Sequence, residues 1–387
     1  MLSSLFKLSV GILFLGVTTN TIAETLQSFT LPLSYKYEGN PTLLVNDELI
    51  EPLSTLILVP NYLLLINKGN EQWSLGASVR MERSSDQSVS VDRNDPSFNI
   101  GWIHEYRTGQ FDISALTVDR STRFTEFQES SFVRFDNTRQ NRSIFVNWLN
   151  SIGSRASIAI NTEGTSVAYA TETPTLNDYK YTSISPRLSY TLNRKVEVFG
   201  QFSYLGFDSK GTDTVFSNES NAESIDFGVT WTVSEKANII ASVGLNQMYE
   251  LLVSNNQVGV SGENSTTGWQ GLLNIQYVTL RTTTQINLER SLQPLSAGIV
   301  ESNQLDVGWA YSLGEREEIA FDFRWRERLQ IIRIRTMNII LSYTLQLSPA
   351  WDFIVSAENR NRVDSSTLAS AYSNSLVTSI IYKIPDF

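Results

Sequence analysis

The chain contains no cysteine, only one histidine, and no uninterrupted apolar run of about 20 residues, the length a membrane-spanning helix requires. Without cysteine it has no disulfide framework and no thiolate metal site. A single histidine, His104, leaves little for the base-assisted nucleophile or water that hydrolytic enzymes use. Charged residues are scarce as well, 18% of 387, and their balance is acidic at −10. Nucleic acid rewards clustered Lys and Arg, so no nucleic-acid partner is expected. No Pro/Gly-rich linker or charge block divides the chain, which points to one large domain.

The N-terminus has Lys7, then an apolar stretch from Leu8 to Val17, then Thr21-Ile22-Ala23. That is the pattern of a secretory signal peptide, residues 1–23, with cleavage expected after Ala23 and a mature domain over 24–387. Loss of Lys7 takes the formal charge from −10 to −11. The first strand is expected within a few residues of Glu24, which leaves no room for an N-terminal plug domain.

Segment after segment alternates apolar with polar or small residues, the period of a strand with two different faces. In Trp73–Glu82 one face holds Trp73, Leu75, Ala77, Val79 and Met81, and the other Ser74, Gly76, Ser78, Arg80 and Glu82. The same holds at Ile225, Phe227, Val229 and Trp231, and at Ile319, Phe321, Phe323 and Trp325. Soluble sandwiches alternate too, so loop asymmetry decides. Short turns such as Asn67-Lys68-Gly69, Thr108-Gly109, Asn193-Arg194 and Ser348-Pro349 alternate with long polar connections such as 84–95, 119–138, 163–177, 208–219 and 250–264. This predicts an all-β, transmembrane, antiparallel up-and-down barrel of the bacterial outer membrane. About 18 strands are expected, with 16 as the alternative count, and both termini in the periplasm. Tyr and Trp near strand ends fit interfacial girdles. Near the C-terminus the alternation of Leu376, Ile380, Tyr382 and Ile384 is out of phase with Phe387, so either the last strand bulges near Pro385 or Phe387 lies beyond it.

His104 is in phase with Phe98, Ile100, Trp102 and Tyr106, facing lipid, where no polar group can orient a base. No catalytic residue, metal ligand or cofactor is predicted, and no pair of carboxylates stands out by spacing. The inward phase supplies the lumen candidates Arg80, Glu82, Glu105, Arg107, Arg187, Asp226, Arg281, Glu289, Asp306, Asp322, Arg324 and Arg326, side chains of both signs able to contact hydrated solutes such as glycans. Arg324, Arg326 and Arg328 are expected inward beside Asp322. Arg333 and Arg335 are out of phase with Asn338 and Ser342, which implies a bulge or an outward site; outward, they would suit lipopolysaccharide phosphates.

The opening Tyr35-Lys36-Tyr37-Glu38-Gly39-Asn40-Pro41, followed by Ser-, Thr- and Arg-rich strands, resembles outer-membrane barrels encoded with exopolysaccharide biosynthesis clusters, including those associated with PEP-CTERM sorting. Gly39 stands where that family usually has Asp. The resemblance implies a passive conduit or accessory for exopolysaccharide or capsule export, with a secreted polysaccharide, periplasmic export components, outer-membrane lipid and lipopolysaccharide as partners. It implies no cofactor or catalytic residue. Two other readings stand beside it: a general diffusion porin for small hydrophilic solutes, narrowed by the 119–138 loop with Arg120, Arg123, Glu126 and Glu129, and a structural or adhesive surface barrel.

Overall fold

The computed structural model describes residues 24–43, 51–123, 136–171, 176–209, 217–253, 261–296, 298–329, 333–364 and 370–384. The expected signal peptide, Glu126, Glu129 and the terminal Pro385 to Phe387 lie outside them. The strands are β1 (Glu24–Glu38), β2 (Leu53–Leu58), β3 (Asn61–Lys68), β4 (Glu71–Ser84), β5 (Arg93–Tyr106), β6 (Gly109–Ser121), β7 (Thr138–Ile152), β8 (Ala156–Tyr169), β9 (Tyr179–Asn193) and β10 (Val196–Ser209). They continue as β11 (Ser217–Ser234), β12 (Ala237–Val253), β13 (Ser261–Val278), β14 (Thr282–Leu295), β15 (Gly298–Ser312), β16 (Glu317–Leu329), β17 (Arg333–Ser348), β18 (Trp351–Asp364) and β19 (Ser370–Ile384). Consecutive strands pair antiparallel, except that β2 and β3 each pair with β1 and β4, and β1 closes on β19 from Phe29↔Ile384 to Glu38↔Ser375.

Nineteen segments make eighteen staves, because β2 and β3 are two halves of one. Residues 53–67, expected as a single strand, are interrupted at Val59-Pro60. Pro60 has no N–H to donate, and the facing stretch of β1 contains Pro32, which also has none. The ladder therefore skips from Leu33↔Leu58 to Thr30↔Asn61. Among the described pairings the other irregularities are at Val196/Glu197, Thr232/Ser234 and Gln346/Ser348, all beside short turns. Both described chain ends lie at the short-turn end: Glu24 pairs with Asn67 beside the β3–β4 turn, where Gly69 takes φ +61°. The β1–β19 register runs unbroken to Ile384, so the last strand has no bulge within its described length.

The two faces of the wall differ as alternation predicts. Phe202, Ile225, Leu245 and Trp269 stand in register across β10, β11, β12 and β13 and point outward; Leu245 is 67% exposed. A band of such side chains suits lipid, and a closed barrel leaves no unpaired edge within the bilayer. Above this row the outward positions turn polar, with Glu223, Gln247 and Thr267. Strands β11 and β13, each of 18 residues, therefore rise beyond the apolar band. Several long connections are correspondingly shorter than the sequence suggested: β8 runs to Tyr169, and β12 reaches Val253. At the short-turn end, Trp73, Trp102 and Phe111 pack together, as do Trp309 with Tyr311 and Trp351 with Tyr382. His104 joins this girdle on the outer face, stacked between Trp102 and Tyr106, with Glu71 at 3.7 Å.

Candidate functional site: a constricted lumen

The long-loop half of the lumen is narrowed from two sides. On one side β14 and β15 leave the wall. The β13–β14 ladder stops at Gly271↔Arg290, whereas β14 and β15 stay paired to Leu295↔Gly298, so their tip forms a separate hairpin. It turns inward. Leu292 and Ile299 pack against Val167, Tyr179, Phe207 and Ala222, which face the lumen from β8, β9, β10 and β11. Gly298 at the turn has φ +126°, a conformation only glycine adopts readily, and a side chain there would overlap the Asn218 amide. Burying Ile299 contributes about 1.5–3 kcal/mol and the partly buried Leu292 adds less, so an apolar contact holds the hairpin down.

On the other side, Glu38 of β1 projects inward and is 1% exposed. It binds three cations: Lys36 at 2.9 Å, Arg123 at 3.1 Å and Arg360 of β18. Arg123 follows β6, so the start of the 119–138 connection does turn into the barrel, as the porin reading expected; its middle lies outside the described residues. Arg93 pairs nearby with Asp95 and Asp136, both within 3 Å. The resemblance segment thus has a local structural role: Lys36 and Glu38 seal the first strand to the last ones, while Tyr35 and Tyr37 face outward.

Between the hairpin and the inner wall lies a cavity of about 510 Å³. It brings together three of the lumen candidates, Arg187, Asp226 and Glu289, with Glu163, Tyr181, Phe199, Gln270 and a row of serines. Arg187 rests 3.6 Å over the Phe199 ring and 3.4 Å from Glu197. A second hollow of about 640 Å³ gathers Asp306, Asp322 and Arg324 beside Asn274, Gln285 and Asn287. Arg324 pairs at 2.9 Å with Asp306, which β15 sets directly opposite. Arg326 bonds Gln304, and Arg80 pairs with Glu82. Glu105 keeps the inward phase near the short-turn rim.

Two candidates are corrected. Arg107 and Arg281 lie in the short turns after β5 and before β14 and are exposed there, because the strands end at Tyr106 and resume at Thr282. Arg333 and Arg335 point outward with no bulge in the β16–β17 register. Arg335 sits one outward row above Met337 and Trp325 and Arg333 two, and Arg335 pairs with Glu327 at 2.7 Å. This row continues through Asn303 to Arg290, whose guanidinium lies 4.7 Å over Trp269 and donates to the Trp269 carbonyl at the point where β14 departs. Among the described residues no group of three or more His, Asp or Glu side chains is arranged to hold a metal ion.

A closed eighteen-stave barrel with an apolar outer band, aromatic girdle and polar lumen has one setting in a cell. The chain is an outer-membrane β-barrel. No protein-family model matches its sequence, and neither does any curated protein. Solved structures are similar in fold. The copper transporter OprC gives a TM-score of 0.50 at 10% identity, over 90% of this chain and 62% of that one. The alcaligin outer-membrane receptor FauA from Bordetella pertussis gives 0.49 at 9%, over 95% and 77%. The outer-membrane protein OpdK from Pseudomonas aeruginosa gives 0.48 at 9%, over 94% and 99%. At these identities the likeness is one of fold alone.

The residues that form the constriction were missed in the sequence, yet they left a signal. Val167, Tyr169, Tyr179, Tyr181 and Phe207 are large apolar or aromatic side chains in the inward phase at the long-loop end, where a solvated wall has no use for them. Leu292, Pro294, Leu295, Ile299 and Val300 are an equally unexpected apolar set around the turn between β14 and β15. Each set needs a surface to cover it, and they cover each other.

Proposed function

We propose that the protein is a diffusion channel for small hydrophilic solutes. The observation that supports this best is the β14–β15 hairpin folded over a polar lumen, which leaves narrow polar cavities in place of a wide conduit. Barrels of 16–18 strands enclose an aqueous channel, and an inward element sets the size of what passes. The purified barrel in a planar bilayer is expected to show steady single-channel conductance; a barrel that inserts and stays closed would instead favour the structural or adhesive reading.

The export reading rests on the Tyr35 to Pro41 resemblance. A polymer passing through this lumen requires the hairpin to leave its apolar seat, so polysaccharide export predicts a mobile hairpin. Deleting the gene separates the two readings. Glycan retained in the periplasm supports export, and normal secretion removes it.

The outward phase of Arg333 and Arg335, above the apolar band, supports a contact with lipopolysaccharide headgroups, where guanidinium would pair with phosphate bidentately. Changing both to alanine is expected to reduce the lipopolysaccharide that co-purifies with the barrel, and unchanged co-purification would remove this role.

A further inference from the structure

Among the described residues Asp226 is a buried charge without a counter-ion. It projects inward from β11, is 7% exposed, and its bonding partner is the neutral amide of Gln270. Its other oxygen lies against Gly244, where any side chain would overlap it. A carboxylate buried without a cation is unfavourable, and a cation that reaches it relieves the cost. The arginines of the same cavity are engaged elsewhere, Arg187 with Glu197 and Phe199, and Arg290 with Glu301 at 2.8 Å. Glu163 and Glu289 face the same space and have no ion pair among the described residues; Glu163 accepts hydrogen bonds from Tyr181 and Thr165.

Among the described residues the positive charges of the cavity are thus neutralised while its negative charges are not. We propose that the cavity beneath the β14–β15 hairpin selects cationic hydrophilic solutes, with Asp226 as the group that a passing ammonium meets. This rests on the diffusion-channel reading. Charges of one sign between low-dielectric walls focus the field and raise the local concentration of the opposite ion by about tenfold or more. A space of about 510 Å³ suits a solute of monosaccharide size. The hydroxyls of Ser183, Ser185, Ser203 and Ser242 offer it hydrogen bonds in place of water.

The test uses three solutes of one size and three charges. Swelling of liposomes containing the barrel is followed with glucosamine, glucose and gluconate at about pH 6, where the amine is protonated. Glucosamine is expected to enter about tenfold faster than gluconate. In the Asp226→Asn, Glu163→Gln, Glu289→Gln variant that ratio is expected to fall toward one. Asparagine and glutamine keep the shapes and the hydrogen bonds, and the variant's unchanged heat-modifiable gel shift would confirm that it folds. Gluconate entering as fast as glucosamine overturns the selectivity while leaving the channel intact. A wild-type preference that survives in the variant overturns the assignment to this cavity. Entry of none of the three overturns the diffusion channel and this proposal with it.

Discussion

Glu38→Ala is expected to lower the stability of the barrel by about 3–5 kcal/mol, the loss that follows when one partner of a buried charge cluster is removed. The size comes from what remains. Lys36, Arg123 and Arg360 all converge on this carboxylate, and all three are themselves buried. Without Glu38, Lys36 still has the more distant Glu358 at 3.7 Å, and two guanidinium groups each lose an anionic partner. The cluster also spans the closure of the barrel, since Glu38 lies on β1 and Arg360 on β18, with β19 between them. Urea unfolding in lipid vesicles, followed by tryptophan fluorescence, reads the loss as a lower midpoint. Glu38→Gln keeps the shape without the charge and is expected to lose most of the same stability. A further change of Arg123 to glutamine removes one of the three cations that converge on this position and is expected to recover part of it. An unchanged midpoint in Glu38→Ala would mean that water already compensates the three cations.

Much of the wall was legible because a barrel strand writes its two environments into alternate residues. Trp73 to Glu82 declares which face meets lipid without knowledge of any partner strand, and the outward placement of His104 follows from Phe98, Ile100 and Trp102 alone. Turn lengths then fix direction, and the even count follows from closure. Alternation says nothing about where a strand leaves the wall. The ladder between β13 and β14 ends at Arg290 although the period continues unbroken through Leu292 and Pro294, so the departure is decided by the apolar surface across the lumen. Partner choice among charges was equally hidden. Arg324 reads as a neighbour of Asp322 along its own strand, but the cross-strand register supplies Asp306. Turn-proximal residues such as Arg107 and Arg281 were misplaced because a one-residue difference in a strand end decides whether a side chain enters the lumen or the rim.

Replacing residues 293–300 with Asn-Gly is expected to raise the single-channel conductance several-fold. The replacement joins Leu292 to Glu301, which already face each other across the ladder, through a two-residue turn suited to a twisted hairpin. Glu301 and its contact with Arg290 are retained, so the point of departure from β13 keeps its ion pair. What is lost is the tip that packs on the inner face of β8–β11, with Ile299 and the buried Leu295, Ser296 and Val300. Ile299→Asp makes the same point without shortening the chain. It removes about 1.5–3 kcal/mol of apolar burial and sets a carboxylate against Val167, Tyr179 and Phe207, so the hairpin favours its undocked position. The two variants also separate a fixed constriction from a movable one. If the wild-type channel flickers between levels and Ile299→Asp holds the higher level, the hairpin is a gate, and a polymer the size of an exported glycan has a route past it. If the wild type is steady and only the deletion widens it, the hairpin is a fixed sieve for small solutes. Equal conductance in all three would move the narrowing to the opposite side of the lumen, where Arg123 reaches Glu38.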